Sequence, residues 1–282
     1  MKRQYDERGY CLFRGAMPPD EISALHDTAY ELVTPYRGKI LRQNGKLEFN
    51  EYLPEESYRP WGTDQEGYAA LVAYPLLNGH ISLPEGLEPL SAALRALVTS
   101  PALYDRLTQL DGAEHYTIHQ TILFFAAQTT AIHLDSWTLD TAPHGFAHTV
   151  WIPLQDMSYE SGVPCVIPWP RNKLVTEQEL GVASSDLPFG ERYDRYQQAL
   201  SRRLLESGPD VATSFMRKGD CMVWSSLTPH CTLPSRPRYV KRLSLQLLLR
   251  PTHLPWGNFV NQPTQWTPDR AEQVSDRFSF LL

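Results

Sequence analysis

From about Glu114 to Leu249 the chain is a succession of short apolar segments broken by turn residues, and this rhythm limits the fold more than any other feature. His115 to Phe125 is β-branched and aromatic, Phe146 to Leu154 alternates, Val163 to Ile167 is a short run before Pro168, and Cys221 to Trp224 and Leu243 to Leu249 follow. Segments of this kind read as strands, and strands so spaced predict a double-sheet jelly roll or a barrel. One stretch breaks the rhythm. Glu191 to Glu206 places Tyr193, Tyr196, Leu200 and Leu204 at helical spacing among charges, which predicts an amphipathic helix inserted between strands, long enough to cover a barrel mouth.

The first part of the chain reads differently. Gly9 to Arg14 predicts an opening strand within residues 1–16, closed by a loop with Pro18 and Pro19. Asp20 then heads a helix carrying Ile22, Leu25, His26, Ala29, Leu32 and Val33, which Pro35 ends. Residues 36–86 have no clear period and read as irregular covering loops with one short strand at most. Pro89 to Val98 predicts a second helix, with Leu90, Ala93, Leu94 and Leu97 on one face. The organisation expected is a single domain over residues 1–282: a helical and loop cover (1–113), a core (about 114–250) with a helical insert (about 173–212), and a C-terminal extension (251–282).

At 282 residues with 42% hydrophobic composition the chain can bury a real core, and its formal charge of −6 gives no pull toward phosphate backbones. No nucleic-acid partner is expected. The charged N-terminus leads into no apolar run, and the longest such run, Ile122 to Ala127, is far below the ~20 residues of a membrane span, so neither membrane nor secretory pathway is expected. Cys11, Cys165, Cys221 and Cys231 form no CxxC pair, which fits reduced, mostly structural thiols and a cytoplasmic location. Oligomeric state leaves no mark on the sequence.

Nine histidines occur, five of them between His115 and His148, so spacing has to select among them. In His133-Leu134-Asp135 an extended backbone puts the imidazole and the carboxylate on one face, where both can touch one ion. A third ligand must come from elsewhere, and His230 follows the strand opened by Gly219-Asp220 and a short turn. Two histidines and one carboxylate leave three adjacent octahedral positions open, the arrangement of non-heme Fe(II) oxygenases. Twelve residues further on, Arg242 opens Arg242-Leu243-Ser244-Leu245-Gln246-Leu247, polar and leucine in alternation. A buried arginine needs an anion, either an internal carboxylate or, as favoured here, a ligand carboxylate held by its planar fork. His144 and His148 stand four apart, but Pro143 and Gly145 oppose a helical zinc site, and His144 remains a candidate substrate contact. Trp137, Trp151, Trp169 and Trp224 surround the motifs; they read chiefly as core walls, the first three also as candidate substrate contacts. GxSxG, GxGxxG and P-loop motifs are absent, which excludes the usual signatures of acyl transfer, hydride transfer and nucleotide hydrolysis.

These residues give the sequence a resemblance, from about His119 to Leu249, to the phytanoyl-CoA dioxygenase-like family of Fe(II)/2-oxoglutarate-dependent oxygenases, which includes ectoine hydroxylase-like enzymes. The markers are His119-Gln120-Thr121, His133-Leu134-Asp135-Ser136-Trp137, Val150 to Asp156 with Ser161-Gly162 and Val166-Ile167-Pro168, and Gly219-Asp220 through His230 to Arg242-Leu243-Ser244. The resemblance implies a mainly β fold with flanking helices and a double-stranded β-helix (jelly roll) core. It implies His133, Asp135 and His230 as iron ligands, Arg242 on the far carboxylate of 2-oxoglutarate, and Ser244, Gln120 and Thr149 as further cosubstrate contacts. The implied activity is O2-dependent oxidation of a C–H bond in a small metabolite or natural-product intermediate, most simply hydroxylation, with release of succinate and CO2. Desaturation, ketone formation, or a binding protein on the same scaffold without chemistry are the alternatives; Asp135 stands where related halogenases leave a gap for chloride. The family usually follows its Ile-Pro with Gly-Ser-His, whereas Ile167-Pro168 here leads into Trp169-Pro170-Arg171, so the loop is individual to this protein.

Overall fold

The strands of the second half pair as their alternation demands, into two facing sheets with helices outside the larger one. A computed structural model describes residues 1–33, 40–43, 51–53, 70–73, 85–126, 130–137, 139–182, 186–213, 215–233, 241–257 and 271–281. In chain order these form α1 (Lys2–Arg8), β1 (Tyr10–Phe13), α2 (Pro19–Val33), β2 (Ile40–Gln43), β3 (Glu51–Leu53), β4 (Ala70–Ala73), α3 (Glu88–Val98), α4 (Pro101–Asp111) and β5 (Tyr116–Ala126). There follow β6 (Thr130–His133), β7 (Asp140–Thr141), β8 (His148–Pro153), β9 (Pro164–Val166), α5 (Phe189–Glu206), β10 (Ala212–Thr213) and β11 (Cys221–Ser225). The last strands are β12 (His230–Thr232), β13 (Lys241–Pro251), β14 (Trp256–Gly257), β15 (Ala271–Gln273) and β16 (Phe278–Leu281).

The major sheet runs β1-β11-β8-β13-β5-β4-β2-β3, with β16 added parallel to β5 and β15 beside it; the minor sheet runs β10-β9-β12-β6. This is the mainly β, jelly-roll architecture expected. Period-two alternation divides the major sheet cleanly. Val150, Ile152, Val223, Leu243, Leu245, Leu247 and Leu249 face outward into one core with Ile22, Leu25, Leu90, Leu94, Leu97, Leu103 and Leu107 of α2, α3 and α4. Trp151, Met222 and Trp224 face the other way, toward Val163 and Val166 of the minor side. A fully buried leucine contributes about 1.5–3 kcal/mol, so the leucine row of β13 fixes which of its faces looks inward. Ser244 and Arg242 are thereby turned toward the space between the sheets.

Several expectations change. The opening strand is preceded by α1, which Gly9 ends with φ 70°; a Cβ there would lie 2.3 Å from both Thr228 Oγ1 and the Trp169 carbonyl. The Gly9 carbonyl accepts from Ser225 N at 2.9 Å and from the Thr228 hydroxyl at 2.8 Å, binding the N-terminal segment to the turn before His230. Within residues 36–86, read as irregular, three short strands extend the major sheet through β4 beside β5. Helix α4 is an addition to the sequence reading: the Ser100 hydroxyl accepts from Leu103 N at its start and Gly112, φ 80°, closes it. The C-terminal extension returns to the sheet, where Phe278 and Phe280 of β16 are fully buried. The inserted helix is present as α5, starting two residues before Glu191, and it packs on β6. Among the described residues no helix is long and apolar enough to cross a membrane.

Candidate metal centre

His133 ends β6 and His230 begins β12, and the two are direct cross-strand partners in the minor sheet. Their rings therefore project from one face, with centroids 4.1 Å apart. Asp135 sits in the single turn of 3-10 helix (Asp135–Trp137) that follows β6. One donor atom each from His133, Asp135 and His230 lies within 4.8 Å of the others. Asp135 Oδ1 is 4.0 Å from His133 Nε2 and 3.6 Å from His230 Nε2. Nitrogen and carboxylate donors bind a divalent ion at about 2.0–2.2 Å, so atoms sharing one ion lie at most about 4 Å apart, and both separations fit.

Each imidazole is also oriented for this task. His133 Nδ1 donates to the Ala131 carbonyl at 2.8 Å and His230 Nδ1 to the Thr228 carbonyl at 2.9 Å. A proton on Nδ1 leaves the Nε2 lone pair for a metal. Burial, followed by the charge of His230, pulls His133 down to about 4 against the opposing effect of Asp135, so its imidazole is neutral at neutral pH. The second carboxylate oxygen is occupied: Asp135 Oδ2 accepts from the Thr149 hydroxyl at 2.5 Å and from Trp224 Nε1 at 3.1 Å. Two imidazoles and one carboxylate oxygen suit a non-heme ferrous ion.

A polar row leads away from this cluster along the inward face of β13. Ser244 is fully buried, and among the described residues its Oγ has no hydrogen-bond partner. Arg242, 2% exposed, donates from Nη1 to the Gly162 carbonyl and lies 5.4 Å over the Trp151 ring; its Nε is unpartnered, and among the described residues no carboxylate pairs with it. Burial alone pushes its pKa down to about 9. A cation and a hydroxyl so placed fit an anionic cosubstrate such as 2-oxoglutarate. Gln120 shares a register row and a face with Thr149 through their common partner Leu248.

The remaining candidates lie in other settings. Trp137 is buried beneath α5, 5.4 Å from Tyr193 and 4.8 Å from Tyr196. Trp169 donates from Nε1 to the Lys173 carbonyl at 2.6 Å, with Lys173 Nζ 4.4 Å over its ring. His144 Nδ1 pairs with Asp140 Oδ2 at 2.9 Å, and that hydrogen bond raises its pKa. Thr149, taken from the family pattern as a cosubstrate contact, spends its hydroxyl on Asp135, because β8 brings it opposite Trp224 of β11. His148, which opens β8, is buried on the opposite face, where Nδ1 meets the Tyr5 hydroxyl at 2.7 Å and Nε2 meets Asp111 at 2.6 Å. Two residues escaped the sequence reading. Trp224 appeared only as a wall, though the alternation of β11 puts it inward with Met222. Tyr193 of α5 lies 5.4 Å from Trp137, ring to ring, on a helix that packs on β6, and its hydroxyl pKa is raised by burial and then by the charge on Asp135; only the helical spacing of its tyrosines hinted at this.

Comparison with known proteins gives a consistent picture. The family model described as Phytanoyl-CoA dioxygenase (PhyH) matches residues 5–238. No curated protein matches the sequence. Among solved structures, the epimerase SnoN in complex with Fe3+, alpha ketoglutarate and nogalamycin RO aligns with TM-score 0.62 and 17% identity over 95% of each chain. The non-heme alpha ketoglutarate dependent carbocyclase SnoK from nogalamycin biosynthesis aligns with TM-score 0.58 and 14% identity, covering 94% of this chain and 92% of its own. EctD from S. alaskensis with 2-oxoglutarate and 5-hydroxyectoine aligns with TM-score 0.55 and 14% identity, covering 91% and 77%. At these identities the likeness is one of fold.

Proposed function

The chain belongs to the phytanoyl-CoA dioxygenase family of Fe(II)- and 2-oxoglutarate-dependent oxygenases, which use O2, and from that premise we propose that it hydroxylates a C–H bond of a small metabolite or natural-product intermediate. The observation that carries this reading is the convergence of His133, Asp135 and His230, with both Nδ1 atoms capped by carbonyls and both Nε2 atoms facing Asp135 Oδ1. When bound, iron and 2-oxoglutarate supply the oxidising chemistry, with succinate and CO2 as coproducts. The protein positions and excludes water.

In this reading His133, Asp135 and His230 hold the metal and Arg242 grips the far carboxylate of the cosubstrate, relieving its own uncompensated burial. Ser244 donates its hydroxyl to the same ligand, and Gln120 lies on the cosubstrate face. Trp151 supports Arg242 from below. Trp137 carries α5, which closes the substrate side with Tyr193; Trp169 packs against the same cluster, and His144 is a further contact on that side. The chain acts as one oxygenase domain. The 5-hydroxyectoine bound to EctD favours hydroxylation; SnoN and SnoK, an epimerase and a carbocyclase, keep other C–H oxidations as the second reading. Nogalamycin biosynthesis, the setting of SnoK, supports a natural-product substrate. Four free cysteines support a reducing, cytoplasmic setting.

The test is substrate-stimulated succinate release across a metabolite panel with Fe(II) and 2-oxoglutarate. Turnover should require both, and Asp135→Ala and His230→Ala should abolish it. Undiminished succinate from either variant would reject the ligand assignment, and a product lacking a new hydroxyl would reject hydroxylation in favour of the second reading.

A further inference from the structure

Asp135 has two oxygens, and the structure treats them unequally. Oδ1 is the one that faces both imidazoles, at 4.0 and 3.6 Å, whereas Oδ2 receives the Thr149 hydroxyl at 2.5 Å and the Trp224 indole N–H at 3.1 Å. Thr149 and Trp224 are cross-strand partners on β8 and β11, both about 1% exposed, so the two donors are held by the sheet rather than by a mobile loop. Trp224 also packs on a second member of the cluster, its ring centroid 4.9 Å from that of His230. A carboxylate unrestrained in this way could turn and bind a metal through both oxygens, occupying a position that cosubstrate or oxygen needs.

We propose that Thr149 and Trp224 are positioning residues that hold Asp135 Oδ2 off the metal, restricting Asp135 to a single ligand atom and keeping the third open coordination position free. This deepens the proposed function and rests on Asp135 being a ligand. Hydrogen-bonding partners of metal ligands set ligand direction and basicity, and their loss typically lowers metal affinity 10- to 100-fold. Both donors matter, because one hydrogen bond alone still lets the carboxylate pivot.

The experiment uses Co(II) as the probe, titrated into the purified full chain and followed by its visible absorption, which responds to coordination number. Trp224→Phe and Thr149→Val, singly and together, should weaken Co(II) binding about 10- to 100-fold. The double variant should also show an altered cobalt spectrum as Asp135 becomes bidentate. Thr149→Ser, which keeps the hydroxyl, should bind within about threefold of the parent. Circular dichroism and melting temperature confirm folding, and if Trp224→Phe fails to fold, the Ser and Val variants at position 149 decide the matter between them. Wild-type affinity and an unchanged spectrum in Thr149→Val would overturn the proposal, as would equal losses in the Ser and Val variants. Asp135→Ala separates the two levels: if it abolishes Co(II) binding while the positioning variants bind normally, only the positioning role fails. If it binds Co(II) like the parent, the ligand reading itself fails.

Discussion

Replacing Arg242 with methionine should move cosubstrate affinity and protein stability in opposite directions. The guanidinium is 2% exposed, its Nε has no partner and its charge no carboxylate among the described residues, and burial pulls its pKa down to about 9, so a ligand anion would compensate it. Truncating one partner of a buried, hydrogen-bonded charge pair costs about 2–5 kcal/mol of binding, which at 1.36 kcal/mol per decade is roughly a 30-fold to several-thousand-fold rise in the 2-oxoglutarate Kd. The unliganded protein gains instead. A neutral side chain of similar length removes the cost of an unpaired buried charge and gives up the hydrogen bond to Gly162, worth about 1.5–3 kcal/mol, so unfolding free energy should be unchanged or raised by up to about 3 kcal/mol. Arg242→Lys should keep the charge, lose the fork and recover only part of the affinity. Isothermal titration with 2-oxoglutarate and Mn(II) under anaerobic conditions reads the first quantity, and urea unfolding of the metal-free protein reads the second. Had Arg242 been a structural ion-pair partner, its loss would destabilise by about 3–5 kcal/mol; that loss with unaltered 2-oxoglutarate affinity would refute the reasoning.

Three other outcomes follow from the packing around the site. Burial raises the pKa of Asp111, but the hydrogen bond and charge of His148, together with hydrogen bonds from Tyr116 and the Ala113 amide, outweigh it and leave the pKa below its ordinary 3.8. Its contribution is therefore present above pH 3.8 and lost as pH falls through the depressed value, and Asp111→Asn should cost about 3–5 kcal/mol in neutral urea unfolding while flattening the acid dependence. Gly9→Ala combines a left-handed backbone, about 1–2 kcal/mol for a side chain, with a clash against Thr228 and Trp169; the urea midpoint should fall accordingly, and an unchanged midpoint would show that the N-terminal turn relaxes freely. The His144 imidazole, paired with Asp140, should titrate by NMR above its ordinary 6.5, and a midpoint at or below that value would show the pair is not formed in solution.

What could be read in advance was governed by how local its cause is. The strands of the second half are written in period-two spacing, and the leucines of β13 announce which side of Arg242 and Ser244 is buried; His133 and Asp135 do converge, but Asp135 reaches the cluster from the 3-10 turn that follows β6 and not, as expected, from an extended strand. The three short strands β2, β3 and β4 carry no such spacing, because they extend a sheet already built by β5 and β13 and take their conformation from that edge. Helix α4 had legible ends in Ser100 and Gly112. The role of Trp224 could not be read at all: its indole finds Asp135 only because β11 lies beside β8 in one sheet while Asp135 follows a strand of the other. Thr149 teaches the same point in reverse, since family position assigned it to the cosubstrate and the register assigned it to the carboxylate.

The pairing of His133 with His230 has a bearing on how the protein is made. These two side chains are separated by almost a hundred residues of chain, yet they meet as immediate neighbours across β6 and β12. Closing so long a loop is entropically slow to be rewarded, and contacts of this separation dominate the time a chain needs to fold. A nascent polypeptide thus cannot bring these two imidazoles together until this long-range contact has closed. On the proposed ligand set, the two imidazoles come together only when β6 and β12 have paired, so the strand pairing that sets the ligand spacing would also set when the chain can first hold a metal.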